Sequence, residues 1–128
     1  MKKKILVVED EPAMISLICE MLEKAGYQTS SAEDGESALK AVKSGAPDLV
    51  LMDIILPKMD GWLVCQKMKT DEHLKKIPII LLSGLLTADA VADASVEKCD
   101  YLMAKPLKMD NLLEKVSELL ERASSKPL

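Results

Sequence analysis

Polar side chains follow apolar runs of this sequence at the points where the runs end. Glu9 and Asp10 follow the first run, Asp53 follows the second, and Ser83 follows the third. Lys105 follows a shorter apolar segment and precedes a proline. If the runs are parallel strands, the loops at their carboxyl ends converge on one crevice. These five side chains are therefore expected to lie close together.

The chemistry of such a crevice depends on its carboxylates. Crowded carboxylates repel each other and raise each other's pKa unless a cation neutralises them. Because no His or Cys lies near them in the sequence, the oxygen-only ligand set predicts Mg²⁺, with Mn²⁺ as the alternative. A carboxylate beside such an ion can attack phosphorus and form an aspartyl phosphate. The Lys105 ammonium and the Ser83 hydroxyl would then meet the charge on the phosphoryl oxygens.

The same residues also have ordinary structural interpretations. An Asp after a strand is more often a helix cap or a loop residue, and an isolated Ser or Lys indicates still less. Two features favour the functional interpretation. The residues share one placement at strand ends, and the apolar run before Asp53 leaves a charge at the edge of the core that needs compensation.

The elements that must position these residues alternate between strand and helix patterns. Uninterrupted apolar runs predict strands buried on both faces at 5–8, 49–52 and 79–82. Weaker strand patterns, suited to sheet edges, lie at 28–31 and 101–104. Helical spacing predicts helices at 12–24, 34–44, 62–68 and 109–123, with 87–99 the weakest. This alternation predicts an α/β fold with five parallel strands and helices on both faces of the sheet.

The composition sets the limits of this prediction. A chain of 128 residues, 48% hydrophobic, can bury one core, which predicts one domain at 1–123 and a tail or linker start at 124–128. One Trp, two Tyr and no Phe predict an aliphatic core. A net charge of -4 argues against nucleic-acid binding and favours a protein partner. Three scattered cysteines suit a reduced, cytoplasmic protein, and no segment has the roughly 20 apolar residues needed to cross a membrane.

Four segments carry a resemblance to a known family over essentially the whole chain. They are ILVVEDEP at 5–12, LVLMDIILPKMDG at 49–61, IPIILLSG at 77–84 and KP at 105–106. Together they resemble the receiver domains of two-component response regulators. The resemblance implies a flavodoxin-like (βα)5 fold, with a doubly wound parallel sheet in the order 2-1-3-4-5. It also suggests a response regulator that consists of this single domain.

The resemblance implies a role for each site residue. Asp53 would be the phosphoacceptor, and Asp10, Asp53 and the Ile55 backbone carbonyl would bind the metal, with Glu9 acting through water. Ser83 and Lys105 would bind the phosphoryl oxygens. In the loop after Asp53, Pro57 and Asp60-Gly61 are expected to set the chain path through a fixed φ and a permissive Gly turn.

The resemblance also implies partners. A histidine kinase or a phosphotransfer protein would supply the phosphoryl group, and a downstream protein target would respond to it. The domain would assist its own phosphorylation and dephosphorylation without being an enzyme in the ordinary sense. It is expected to be a monomer or a weak dimer.

The switch residues depart from the usual family pattern. Ser83 and Leu102 occupy the two switch positions, but position 102 is usually aromatic, and the neighbouring Tyr101 should point to the opposite face of its strand. We hypothesise that Leu102 moves little and that 87–99 reports phosphorylation. Loss of phosphorylation-dependent partner binding in a folded Leu102→Ala variant would contradict this hypothesis. The apolar Ile55 and Leu85 further predict slow self-dephosphorylation.

Two alternatives remain at this point. The first is a pseudo-receiver, an interaction module that no longer cycles phosphate, against which the intact Asp10, Asp53, Ser83 and Lys105 argue. The second is a phosphatase of the haloacid dehalogenase type, which also uses Asp, Lys, Ser and Mg²⁺. That class prefers Asp-x-Asp, whereas Asp53 is followed here by two isoleucines.

Overall fold

Five parallel strands form a single sheet in the computed structural model, which describes residues 2–84 and 100–125. The strands are β1 (Lys4–Val8), β2 (Gln28–Ala32), β3 (Leu49–Asp53), β4 (Ile79–Ser83) and β5 (Tyr101–Ala104). Their order is β2-β1-β3-β4-β5, which confirms the predicted order 2-1-3-4-5. The predicted helix at 87–99 and the residue Leu85 lie outside the described residues.

Helices connect most of these strands. They are α1 (Pro12–Lys24), α2 (Gly35–Gly45), α3 (Gly61–Lys69) and α4 (Met109–Ser125). Asp34 precedes α2 as its N-cap, where its Oδ1 accepts a hydrogen bond of 2.7 Å from the Ser37 amide. Helix α4 continues two residues past its predicted end at 123. Ser125 is also the last residue that the structure describes.

The strand ends were predicted one residue too early for β3 and β4. Asp53 and Ser83 are the last residues of these strands because both still pair with a neighbour, Asp53 with Leu82 and Ser83 with Ala104. Asp53 and Ser83 are therefore the last paired residues of the sheet and do not belong to the loops that follow. This placement fixes their backbone through the ladder hydrogen bonds.

The two faces of the sheet pack against different helices. Residues such as Leu6, Val50 and Leu81 pack with α2 and α3, whereas Leu51 and Ile80 pack with α1 and α4. Neighbouring residues of a strand alternate between the two layers, as the pleat requires. The core is aliphatic, as predicted, and no helix among residues 2–84 and 100–125 is long and apolar enough to cross a bilayer.

Candidate metal centre

The predicted site residues come from adjacent strands at one edge of the sheet. Glu9 and Asp10 follow β1, and Asp53 ends β3, which is the neighbour of β1. Ser83 ends β4, one position beyond Leu82, the residue that pairs with Asp53. The sheet order therefore brings the ends of these strands side by side, as the sequence predicted.

Three carboxylates form a cluster at this edge. One oxygen from each of Glu9, Asp10 and Asp53 lies within 4.8 Å of the other two. Glu9 and Asp53 are buried, at 2% and 8% relative exposure, whereas Asp10 is exposed. The cluster is thus open to solvent on the side of Asp10 and enclosed on the side of Glu9.

Lys105 reaches the cluster from the end of β5. Its Nζ donates hydrogen bonds to Asp53 Oδ2 at 2.8 Å and to Glu9 Oε2 at 3.3 Å. The Lys105 amide also donates to the Ser83 carbonyl at 2.8 Å, which fixes the backbone at the root of this side chain. Lys105 therefore links three of the predicted site residues directly.

The electrostatics of the cluster show an excess of negative charge. Burial, followed by the charge of Asp53, raises the pKa of Glu9 to about 7, although Lys105 acts in the opposite direction. Burial would lower the pKa of Lys105, but the hydrogen bond and charge of Asp53, followed by those of Glu9, raise it. A single ammonium therefore leaves the carboxylates incompletely compensated.

The loop after Asp53 is held to the sheet at both of its ends. The Ile54 amide donates to the Leu82 carbonyl at 2.9 Å, and the Gly61 amide donates to the Ile54 carbonyl at 2.7 Å. Between them, Ile55 is 57% exposed, and its amide donates to Asp53 Oδ1 at 3.3 Å. The apolar Ile55 side chain is therefore exposed to solvent in the loop that follows Asp53.

The expectation that Gly61 forms a permissive Gly turn is wrong, because Gly61 is the first residue of α3. The residue has no positive φ, unlike Gly26, whose φ is 101°. A Cβ at Gly61 would instead lie 2.6 Å from the Asp53 carbonyl oxygen and 2.9 Å from the Ile54 Cα. Gly61 is thus required for a close approach between α3 and the end of β3.

The residues before Lys105 separate onto the two faces of β5. Leu102 is buried at 1% relative exposure in the core layer of α2 and α3, whereas Tyr101 packs with α4, where Lys115 Nζ lies 4.2 Å from its ring centroid. The prediction that these neighbours point in opposite directions is confirmed. Tyr101 therefore lies on the wrong face to replace an aromatic side chain at position 102.

The side chains present fit a hard divalent cation. Among the described residues, this is the cluster whose carboxylates could hold a metal ion together, and all of its side-chain ligand atoms are oxygens. Glu9, one of its two buried members, has a raised pKa, which a bound cation would relieve. Mg²⁺ suits such a donor set because it commonly keeps several waters beside one or two carboxylates.

Comparison with known proteins identifies the family. The chain matches the response regulator receiver domain over residues 5–117, and it belongs to this family. It is 33% identical over 124 residues to the DNA-binding dual master transcriptional regulator RpaA of Synechocystis. It is 36% identical over 124 residues to the alkaline phosphatase synthesis transcriptional regulatory protein PhoP of Bacillus subtilis.

The alignments cover 97% and 96% of this chain but only 52% and 50% of those two regulators. The chain thus spans about half the length of the curated relatives it matches.

Solved structures place the fold among flavodoxin-like receiver domains. The receiver domain of a signal transduction histidine kinase from Syntrophus aciditrophicus superposes with a TM-score of 0.88 at 32% identity, covering 98% of this chain and 95% of that one. The receiver domain of a sensor histidine kinase from Pseudomonas aeruginosa gives a TM-score of 0.83 at 28% identity, covering 94% and 99%. That second structure holds a magnesium ion coordinated in its active-site cleft.

Proposed function

We propose that the chain is a phosphorylation switch that accepts a phosphoryl group on Asp53 with the help of Mg²⁺. The observation that carries this proposal is the surroundings of Asp53, whose carboxylate lies with those of Glu9 and Asp10 and 2.8 Å from the Lys105 ammonium. A carboxylate with a metal site on one side and an ammonium on the other is suited to attack phosphorus.

Each polar side chain has a place in the proposed transfer. An Asp53 oxygen attacks the phosphorus of a phosphohistidine, and the phosphorus–nitrogen bond breaks with its electron pair passing to the imidazole nitrogen, which takes up a proton. Lys105 shifts from the carboxylate to a phosphoryl oxygen, and the Ser83 hydroxyl donates to another. Mg²⁺, held by Asp10, Asp53 and the Ile55 carbonyl and by Glu9 through water, would neutralise the transferring oxygens.

The proposed partners follow from the family. A histidine kinase or a phosphotransfer protein in the cytoplasm supplies the phosphoryl group, and a downstream protein responds to the phosphorylated domain. The first relatives named above are DNA-binding or transcriptional regulators about twice as long as this chain. The acidic chain itself, with a net charge of -4, is proposed to act on a protein and not on nucleic acid.

Stoichiometric labelling tests this proposal. The chain is incubated with Mg²⁺ and acetyl phosphate, and intact mass together with peptide mapping locates the modification. We expect one phosphoryl group on Asp53 in the native chain and none in Asp53→Ala. Asp60→Ala is the matched control, because Asp60 is an exposed carboxylate at the other end of the same loop.

This labelling experiment, together with an assay of phosphate-ester hydrolysis, separates the alternatives. An unlabelled native chain would support the pseudo-receiver, and continued turnover of a generic phosphate ester would support the phosphatase. Phosphotransfer from a panel of histidine kinases, with Asp53→Ala as the blank, then identifies the donor.

A further inference from the structure

The loop that joins Asp53 to α3 rests on the first turn of α2. The Gly35 amide, at the start of α2, donates a hydrogen bond of 3.4 Å to the Pro57 carbonyl. Asp34, the N-cap of α2, places Oδ2 3.8 Å from the Lys58 ammonium. The far half of the loop, 57–59, therefore contacts a helix that contributes no side chain to the carboxylate cluster.

Gly35 leaves no free space under this part of the loop. A Cβ built on Gly35 would lie 1.8 Å from the Met59 carbonyl oxygen and 2.8 Å from the Met59 Cβ. The φ of Gly35 is not in the left-handed region. The constraint at this position is thus the closeness of the two backbones and not the conformation of the glycine.

The loop has little freedom to move away from this contact. Met59 is partly buried against the core layer that α2 and α3 share. Lys58 has a φ of 68°, a left-handed conformation that a lysine adopts only when its surroundings hold it there. The 57–59 segment is thus held by its contacts with the start of α2 and by the packing of Met59 against the core.

The near half of the same loop borders the carboxylate cluster. Ile55 lies four residues before Met59, and its amide donates to Asp53 Oδ1 at 3.3 Å. We propose that Gly35 is a positioning residue for the metal centre, which sets the affinity for Mg²⁺ by holding the loop that carries the Ile55 carbonyl. This inference rests on the proposed function, since it takes Mg²⁺ as the ion of the site.

The expected effect is large because the contact is short. Any side chain at Gly35 must push the Met59 carbonyl outward by about 1 Å or more to reach an ordinary contact distance, and displacements of about 1 Å are enough to disable a preorganised site. Groups that orient a metal ligand typically change metal affinity by about 10- to 100-fold when mutated. We expect Gly35→Ala to weaken Mg²⁺ binding at least about tenfold.

Gly45→Ala is the matched control, at the other end of α2. A Cβ at Gly45 meets nothing within 4 Å, so the same substitution in the same helix leaves the loop untouched. Alanine is the better helix former at both positions. A loss confined to Gly35→Ala therefore cannot come from helix propensity.

Mg²⁺ titrations of the full chain, followed by two-dimensional NMR of the backbone amides, measure the affinity and the fold together. We expect weaker binding and a shifted Ile55 amide signal in Gly35→Ala, with native affinity in Gly45→Ala. If Gly35→Ala binds Mg²⁺ as tightly as the native chain, the inference is overturned, and displaced α2 signals would show that the helix moved instead. If the native chain itself does not bind Mg²⁺, the proposed function fails.

A second pair of variants decides the question if Gly35→Ala does not fold. Met59→Ala removes the side chain that anchors the loop, and Leu39→Ala removes another partly buried side chain from the same core layer, but from α2. We expect Met59→Ala to weaken Mg²⁺ binding several-fold and Leu39→Ala to leave it unchanged. Equal affinities in the two variants would overturn the inference.

Discussion

Glu9 and Lys105 together set the charge of the crevice at the scale of single residues. The pKa of Glu9 is raised to about 7 by burial and by Asp53. In an unfolded chain a Glu ionises near its ordinary pKa of 4.5. Between these two pH values Glu9 is protonated in the folded state and ionised in the unfolded state. The free energy of unfolding therefore falls as the pH rises through this window.

Glu9→Gln should therefore change the pH dependence of stability in the metal-free protein. From pH 4.5 to about 7, the native chain should lose stability relative to Glu9→Gln, and the difference should be constant outside that window. Urea unfolding across this pH range measures it. Glu11→Gln, at an exposed neighbour, should follow the native curve. A native-minus-Glu9→Gln difference that stays constant from pH 4.5 to 7 would contradict the prediction.

Ile55 should affect the lifetime of the phosphorylated state. Its side chain is 57% exposed next to Asp53 and offers no hydrogen bond to an attacking water. We expect the native phosphoprotein to decay slowly after acetyl phosphate is removed, and Ile55→Asn to decay several-fold faster because its amide can position a water. Leu63→Asn, another exposed apolar residue changed in the same way, is the control. A native phosphoprotein that decays as fast as Ile55→Asn would refute the prediction.

At the scale of elements, the C-terminal end of α2 carries its glycine one position too early. Ala46 has φ 43° and ψ 65°, a left-handed conformation that suits glycine, while Gly45 is still helical with open space around it. Exchanging the two residues should raise the free energy of unfolding by about 1–2 kcal/mol. The urea midpoint at unchanged slope measures the gain, and the single variants apportion it. A lower midpoint for Ala46→Gly would contradict the assignment.

The elements that were predictable from the sequence are those with a strong local pattern. The apolar runs of β1, β3 and β4 are buried on both faces, and such runs are visible in any short window. The close approaches of Gly35 to Met59 and of Gly61 to Asp53 join segments of the chain that are separated in the sequence. No local pattern marks them, because they depend on how closely two packed backbones approach.

Site prediction followed the same division. Parallel topology alone brings strand ends together, so the cluster of Glu9, Asp10 and Asp53 could be predicted once the strands were assigned. The direct contact between Lys105 and Glu9 could not, because it depends on side-chain conformations. The strand order itself came from the family resemblance and not from periodicity.

At the scale of the whole molecule, metal binding should raise the free energy of unfolding. A ligand that binds the folded state alone adds RT ln(1 + [L]/Kd), about 2.7 kcal/mol at 100 times Kd. We expect Mg²⁺ to raise the melting temperature of the native chain and to raise it much less in Asp10→Asn. Asp110→Asn, at an exposed residue of α4, should respond like the native chain. An equal response in Asp10→Asn would place the ion elsewhere.

The pairing of Lys105 with a three-carboxylate cluster has a consequence for how the charge of the unphosphorylated chain would differ from that of the phosphorylated chain. With its carboxylates ionised, this set of side chains carries two negative charges in excess, which one divalent cation would cancel. An aspartyl phosphate would add about one further negative charge to a locally neutral surface. The resulting electrical potential extends about 8 Å at physiological ionic strength. A partner could thus distinguish the two states at the rim of the crevice without any large movement of the sheet, and added salt would weaken its preference.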